Sequence, residues 1–265
     1  MSVGPADLPV RDRFDERAAG YTPERIGLFN EATARHPLAR EAERRVVIDR
    51  LELEEGLTVC DVGAGGGYLS DGIRARLGGR CRVVAVENSV VFCESIAPDH
   101  ERVTSSLSHL ALADASVDRV AVLAGLHHQD DKLRFLREAH RVLKPGGLAV
   151  VADVREGTGP ARFLNEAVDR WSDMGHDATF LDELGFASLL ESAGFCEVAV
   201  ETEAYTWDLP DERSLLEFCR TLFRMTRASL ADVRDELHRY LRVDVDASGA
   251  HLHWSLTCAS ARARA

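Results

Sequence analysis

Short, continuously apolar runs alternate with amphipathic segments through the middle of this 265-residue chain. A run such as LTVCDVG (57–63) shows no polar alternation, which indicates that both of its faces are buried. Buried strands separated by helices are typical of a parallel sheet covered on both faces, because parallel neighbours need a long crossover connection. We therefore predict an α/β fold, with strands over 57–63, 82–88, 102–107, 118–126 and 148–154 and with helices over 67–77 and 131–143.

The two ends of the chain follow other patterns. Two helices are predicted at the N-terminus, over 22–34 and 38–51. After residue 154, a predicted helix and an alternating strand are followed by two amphipathic helices and a last alternating strand, at 181–195, 197–207, 211–225, 229–243 and 251–259. This order predicts a hairpin whose loop has grown into a helical cap. The predicted domains are a lead-in at 1–45, a core at 46–208, a cap at 209–248 and a final core strand at 249–265.

Four glycines within five residues follow the first predicted strand. A buried strand, a glycine-rich turn and a helix N-terminus together form a nucleotide-type site. The pattern here is Asp61-x-Gly63-x-Gly65-x-Gly67, and Tyr68 stands where a dinucleotide fingerprint has its third glycine. Glu87 ends the next strand, at a distance along the chain that suits a carboxylate bound to a ribose diol.

Four sequence blocks together resemble the class I S-adenosylmethionine-dependent methyltransferases. Asp61-Val62-Gly63-Ala64-Gly65-Gly66-Gly67 is similar to the family's first motif, and VAVE (84–87) is similar to its acidic motif. LALADASVDRV (110–120) and REAHRVLKPGGLAVVADV (137–154) resemble later blocks of the family. The resemblance implies a Rossmann-like, mostly parallel seven-stranded sheet with helices on both faces, N-terminal helices, and a helical cap between the last two strands. It also implies methyl transfer to a small-molecule acceptor, on oxygen, nitrogen or carbon, in a biosynthetic pathway.

The same resemblance assigns the cofactor-binding residues. S-adenosyl-L-methionine is the implied cofactor and S-adenosyl-L-homocysteine its product. Asp61 would lie near the ligand's amino group, the turn residues would approach its methionyl part, and Glu87 with the adjoining Asn88 would face the ribose. Ser106 falls near the position where the family often has an acidic residue that reaches the adenine amine. Leu107 could cover the face of the adenine ring. The remaining implied contacts are those of Gly63, Ala64, Gly65 and Gly67 in the turn and of Tyr21 in the N-terminal lead-in.

Two histidines and an aspartate are the candidate catalytic residues. His127 and His128 follow the predicted fourth strand, where the family places residues that face the acceptor, and neutral imidazole can accept a proton near pH 7. Asp153 follows the fifth strand and could orient a base or contact the acceptor. For each of the three, a purely structural role stays open. Structural or solvated roles are favoured for four further residues: Trp171, His176, Arg220 and Arg224.

The composition limits the classes of partner that we expect this protein to bind. A net charge of −12 disfavours a nucleic-acid substrate, which needs a basic surface. No signal-peptide core and no apolar run long enough for a membrane span occurs, so we expect a cytoplasmic protein without membrane contact. The six cysteines are scattered without metal-binding spacing, and no metal site is expected. Exposed cap helices leave a homodimer open.

Two other functions compete with methyl transfer. Two features disfavour a nicotinamide-dependent oxidoreductase. Tyr68 replaces the third glycine of a dinucleotide fingerprint, and no Tyr-x-x-x-Lys pair occurs. Four residues before the two lysines, Lys132 and Lys144, the chain has histidines and not tyrosines. A protein of the same fold could also bind the cofactor without methylating, as a cyclase-type enzyme or a binding module.

Overall fold

One open sheet organises the protein. The computed structural model describes residues 22–264, so the predicted cofactor contact of Tyr21 lies outside the described residues. The eight strands of the sheet are β1 (Thr58–Val62), β2 (Arg82–Glu87), β3 (Glu101–Thr104), β4 (Val117–Leu123), β5 (Leu143–Asp153), β6 (Phe195–Leu209), β7 (Val243–Asp246) and β8 (Gly249–Ala263).

The strand order confirms the predicted α/β sheet. The strands lie in the order β3-β2-β1-β4-β5-β8-β6, and β7 pairs with β8 outside this path. The pairs from β3 to β5 are parallel, whereas β8 runs antiparallel to β5, β6 and β7. The carboxyl ends of β1, β2, β4 and β5 therefore meet at one edge, which is where open α/β sheets bind ligands.

Helices cover both faces of the sheet. They are α1 (Pro23–Arg35), α2 (Glu41–Arg50), α3 (Tyr68–Arg76), α4 (Val90–Ser95), α5 (Lys132–Val142), α6 (Gly159–Arg162), α7 (Asp169–Trp171), α8 (Glu183–Ser192), α9 (Glu212–Leu222) and α10 (Leu230–Tyr240). A π-helical turn, Phe163–Val168, joins α6 to α7, and a 3₁₀ turn, Leu126–His128, follows β4.

Two hydrophobic layers lie on the two sides of the sheet. Ala121 of β4 packs in the layer that contains Val47 of α2 and Leu215 of α9. Its neighbour Val122 packs in the opposite layer, with Phe135 of α5. Successive strand residues point to opposite faces, so a strand that is apolar at every position supplies both layers.

The C-terminal part differs from the expected seven-stranded sheet by one strand. The helix predicted to reach residue 243 ends at Tyr240, and Val243–Asp246 forms β7, which pairs with the start of β8. The hairpin between them turns at Gly249, whose φ of +142° and close approach to the Leu209 carbonyl oxygen leave no room for a side chain. The predicted helical insertion is otherwise present, because α9 and α10 lie between β6 and this hairpin.

Within residues 22–264, every helix is too short or too polar to cross a membrane.

Candidate active site

The glycine turn lies between the end of β1 and the start of α3. Gly65 has φ +54°, and a Cβ atom built there would meet no protein atom within 4 Å. The space above this residue is therefore open to a ligand. Gly67 caps α3 with φ +88°, a left-handed conformation that other residues adopt only at a cost. The side chain of Asn30, from α1, lies directly against Gly66, so the N-terminal helix borders the turn.

Glu87 ties the end of β2 to this turn. Its Oε2 accepts a hydrogen bond from the backbone N–H of Gly65 (2.8 Å), and its Oε1 accepts one from the N–H of Ser89 (3.0 Å). The carboxyl group is almost fully buried. Burial raises its pKa, and the backbone hydrogen bonds offset part of that rise.

Asp61, at the end of β1, is the second buried carboxylate. It accepts a hydrogen bond from the Ser70 hydroxyl (2.7 Å). Burial raises the pKa of Asp61 to about 6, and the nearby charge of Glu87 adds to the rise. A cationic group placed beside Asp61 would favour its ionised form, which suits a site for the amino group of an amino-acid ligand.

Two predicted adenine contacts lie next to the turn but do not line its main cavity. Leu107 is buried, and its Cδ1 lies 3.5 Å from where a Cβ of Gly63 would be. Ser106 and Ser108 share a hydroxyl–hydroxyl hydrogen bond of 3.0 Å. The positions of Leu107 and Ser106 are compatible with a flat ring beside Leu107.

One cavity of about 300 Å³ connects the glycine turn to the cap. Its lining includes Gly63, Ala64 and Gly65 at one end, His127 and His128 in the middle, and residues of β6, β8 and the end of α9 at the other. The structure therefore brings the predicted catalytic and cofactor-binding groups to one space. Of the predicted residues that the structure describes, Asp153, Gly67, Glu87, Asn88, Ser106 and Leu107 lie outside that lining.

His127 and Asp153 form a buried pair. β4 and β5 are neighbours, so the 3₁₀ turn after β4 places His127 against the last residue of β5. The ring Nδ1 lies 2.6 Å from Asp153 Oδ1, and the backbone N–H of His127 donates to Oδ2 at 2.8 Å. An ionised carboxylate only accepts, so Nδ1 carries the proton and Nε2 keeps its lone pair.

His176 joins this pair, although its sequence context favoured a structural role. Its ring centre lies 5.4 Å from that of His127 and 5.3 Å from that of His128. Its Nδ1 bonds Asn165 (3.0 Å), and its backbone N–H donates to Asp169 (2.8 Å). Asn165 lies in a π-helical turn, which is a local irregularity often found at functional sites. The periodicity of the sequence does not reveal such a turn, so His176 could not be assigned to the site from the sequence.

The three other residues for which a structural or solvated role was favoured lie in different surroundings. Trp171 donates its indole N–H to Glu236 (3.1 Å), a structural contact. Arg224 lines the cavity and pairs with Asp173 (3.0 Å). Arg220 is exposed on α9.

Aromatic side chains form the wall of the cavity that faces the cap. Trp207 of β6 and Trp254 of β8 stack with ring centres 4.7 Å apart, and Phe223 stacks on both at 5.9 Å. Sequence reasoning missed this wall. The alternation of β6 and β8 marks Trp207 and Trp254 as inward-facing, but it does not show that their strands are neighbours.

A polar corner, which sequence reasoning also missed, adjoins the aromatic wall. Arg40 forms a two-bond ion pair with buried Glu43, at 2.6 and 2.9 Å, and its guanidinium lies 5.1 Å from the Trp207 ring. The hydroxyl of Tyr68 and the indole N–H of Trp207 are buried without a hydrogen-bond partner among the described residues. Unpaired buried donors are costly, so this corner suits a ligand that carries acceptor atoms.

Comparisons with known proteins point to methyltransferases. Residues 60–151 match the family model described as "Methyltransferase domain". The malonyl-[acyl-carrier protein] O-methyltransferase of Dechloromonas aromatica is 29% identical over 77% of this chain and 79% of its own length. The 2-methyl-6-phytyl-1,4-hydroquinone methyltransferase of a Synechocystis strain is 30% identical over 58% of this chain. The chain spans only about half (51%) of that second relative.

Solved structures share the fold. A structure described as a complex between the Haloferax volcanii Trm112 methyltransferase activator and the putative methyltransferase aligns over 97% of this chain and 100% of its own, with 21% identity and a TM-score of 0.59. The [4+2]-cyclase SpnF aligns over 83% of this chain and 79% of its own, with 19% identity and a TM-score of 0.55. Together these comparisons support a class I S-adenosylmethionine-dependent methyltransferase. It is an enzyme, and its cofactor is S-adenosylmethionine.

Proposed function

We propose that this enzyme methylates a hydroxyl oxygen on a flat, largely apolar small molecule, with His127 as the general base. The observation that carries the proposal is that His127, held from behind by the buried Asp153, lines the same cavity as the open glycine turn. When bound, S-adenosylmethionine supplies a methyl group on a positively charged sulfur. The chain supplies binding, alignment and removal of the acceptor's proton.

The cofactor end is assigned to the predicted residues. Gly65 offers backbone to the ligand where no side chain intervenes, and Gly63 and Ala64 line the same cavity. Asp61 would hold the amino group. The oxygens of Glu87 accept the backbone N–H groups of Gly65 and Ser89, and the N–H of Asn88 also bonds this carboxylate, so one acceptor position would remain for a ribose hydroxyl. Four other predicted contacts are part of the same proposal on weaker geometric grounds: Gly67, Asn88, Ser106 and Leu107.

The proton of the acceptor would pass to Nε2 of His127. Asp153 holds the opposite nitrogen, which fixes the ring orientation and stabilises the imidazolium that forms. Asp153 also accepts the N–H of Val154 (2.7 Å), so the carboxylate is itself held in place. His128, with its ring centre 3.9 Å from that of His127, would border the acceptor.

The aromatic wall supports a flat acceptor. The stacked rings of Trp207, Trp254 and Phe223 offer an apolar face against which a planar ring can pack. Arg224, a cation in the lining of the same cavity, forms an ion pair with Asp173. The hydroquinone named for the Synechocystis relative is a flat, hydroxyl-bearing molecule of this kind. A carboxylate acceptor, which the malonyl relative's name indicates for that protein, would need no base.

A matched acceptor panel tests the proposal. Phenols and hydroquinones would be incubated with enzyme and S-adenosylmethionine beside their methyl ethers, which lack the reacting hydroxyl, and beside aliphatic carboxylates. Mass spectrometry should show the gain of one methyl group on free hydroxyls only. Methylation confined to carboxylates, or a full rate on the ethers through carbon, would contradict the proposal.

A non-methylating reaction is the second candidate, because the cyclase SpnF shares this fold. The same mass spectra separate the two: a cyclised product has the mass of its substrate. The homodimer stays a prediction.

A further inference from the structure

We propose that His127, His128 and His176 form a binding site for a divalent transition-metal ion of the zinc class. Each of the three offers one imidazole nitrogen, and these nitrogens all lie within 4.8 Å of one another. His127 is buried and the other two are half-buried, so the cluster is sheltered but open to the cavity. The cysteine spacing gave no sign of a metal site, and the histidines come from two distant segments of the chain. The site does not depend on the proposed methyl transfer. Nε2 of His127 cannot bind an ion and accept the acceptor's proton at the same time, so a chain with the ion bound would not use His127 as the base.

The ring positions suit a shared ion. With metal–nitrogen bonds of about 2 Å and tetrahedral angles, two ligating imidazole rings have their centres roughly 5 Å apart. The two pairs that involve His176 have centres 5.4 and 5.3 Å apart. The third pair, His127 and His128, is closer at 3.9 Å, so one of these adjacent rings must rotate when the ion binds.

Two of the three ligands are held by second hydrogen bonds. Asp153 accepts from Nδ1 of His127. Asn165 Oδ1 accepts from Nδ1 of His176 in the same way. The orientation of the Asn165 amide is fixed by Ala178, because Oδ1 also accepts the Ala178 N–H (3.2 Å) and Nδ2 donates to the Ala178 carbonyl oxygen (2.8 Å). In both histidines Nε2 is thus left as the ligand atom. Metal-binding histidines characteristically carry such partners on the other ring nitrogen.

A second cavity gives the ion an entry path. It has a volume of about 580 Å³, shares His127 and His128 with the first cavity, and is lined by Asp130, Asp131 and Asp177. These carboxylates attract cations. Lys132 also borders this cavity, but its ammonium group donates to the carbonyl oxygen of Gln129 (2.7 Å).

Three imidazole ligands leave at least one coordination position open. Three protein ligands with a free fourth position are typical of catalytic zinc sites, whereas structural sites use four protein ligands. The open position would face the cavity, where an oxygen atom of the acceptor can bind. Imidazole ligands suit zinc, cobalt, nickel and copper rather than magnesium or calcium.

Cobalt and zinc titrations test the site. Tag-free, chelator-treated protein would be titrated with Co²⁺ by visible absorption and with Zn²⁺ by calorimetry. We expect one ion per chain and the visible bands of a four- or five-coordinate cobalt centre. His176→Phe keeps a ring that can stack on Phe180 but removes the ligand, and should weaken binding at least 100-fold. His109→Ala, an exposed histidine, is the matched control and should leave binding unchanged.

Outer-shell variants keep the test decisive if His176→Phe misfolds. Asp153→Asn and Asn165→Leu should each lower zinc affinity by roughly 10–100-fold, because they release a ligand ring. A thermal shift with S-adenosylhomocysteine reports whether each variant is folded, and it does not depend on the metal. Absence of stoichiometric cobalt binding, or equal affinity in wild type, His176→Phe and Asn165→Leu, would overturn the proposal.

Discussion

The cofactor end and the acceptor end of the cavity are built in different ways. The cofactor end is one continuous stretch, residues 61–67, completed by Glu87 from the adjacent strand. The acceptor end combines side chains from at least six separate segments, from Arg40 on the second helix to Trp254 on the last strand. The difference suggests that the backbone defines the first end, whereas packing of distant side chains defines the second. Four predictions probe this contrast, from the largest expected effect to the smallest.

The largest effect is expected at the glycine turn. Gly65→Val places a branched side chain in the open space where the ligand would lie, so S-adenosylhomocysteine binding should fall below detection by calorimetry. Gly78→Val is the matched control, because Gly78 also has positive φ (+57°) and no atom within 4 Å of a built Cβ, but lies on an exposed turn after α3. Both should lose similar stability from backbone strain, of the order of 1–2 kcal/mol.

Equal loss of cofactor binding in both variants would show that strain, and not occupied space, is responsible. The cofactor end would then not be a backbone-defined cradle.

The second effect belongs to the acceptor end. His127→Gln should lower turnover on a hydroxyl acceptor by roughly 10²–10⁴-fold, because the base is lost. The dissociation constant of S-adenosylhomocysteine should hardly change, since the two ends are separate. Initial rates and calorimetry measure the two quantities, with His109→Ala as the surface control. Full activity would mean that alignment alone drives the reaction.

The third effect concerns stability and pH at Asp61. Its folded-state pKa of about 6 lies above the ordinary 3.8, so the stability it contributes is present at low pH and is lost as pH rises through about 6. Asp61→Asn removes this dependence. The difference in unfolding free energy between variant and wild type should therefore move in favour of the variant by about 2 kcal/mol between pH 4 and pH 7.

Urea unfolding at several pH values measures that difference. Asp118→Asn is a control of opposite sign. Burial is the largest single influence on the pKa of Asp118 and raises it, but the hydrogen bonds from Lys144 and the Thr58 N–H together outweigh burial and lower the pKa. That variant should lose stability relative to wild type as pH rises. If the difference in unfolding free energy between Asp61→Asn and wild type did not change with pH, the pKa of Asp61 would be the same in the folded and the unfolded protein.

The smallest effect is expected in the polar corner. Tyr68→Phe removes a buried hydroxyl without a partner, so the free enzyme should be unchanged in stability or gain about 1 kcal/mol. If a ligand supplies the missing acceptor atom, its affinity should fall by about tenfold. Thermal melts and titrations with cofactor and acceptor separately show which of the two uses this corner. Unchanged affinity for both would assign the hydroxyl to water.

Much of the fold was predictable because it rests on local patterns. Strands that are apolar at every position predicted the buried parallel sheet, and the comparisons and the topology confirm that class. The eighth strand was missed because Val243–Asp246 carries two acids in four residues and becomes a strand only by pairing with β8. The cluster around His127 was half predictable: the residues after β4 and at the end of β5 could be placed at one edge, but His176 could not.

The resemblance of four sequence blocks to a known family implied the cofactor, whereas local patterns in the sequence determined the class of the fold and the position of the glycine turn. These depend on residues that are close in the chain, where strand, turn and helix follow from spacing and glycine's backbone freedom. Only the tertiary structure decided which side chains border the proposed acceptor site. His176 reaches His127 through a loop held by Asn165 and Asp169, and Trp207 meets Trp254 through antiparallel pairing of β6 with β8. Contacts between distant segments depend on how whole elements pack, and no local pattern encodes that packing.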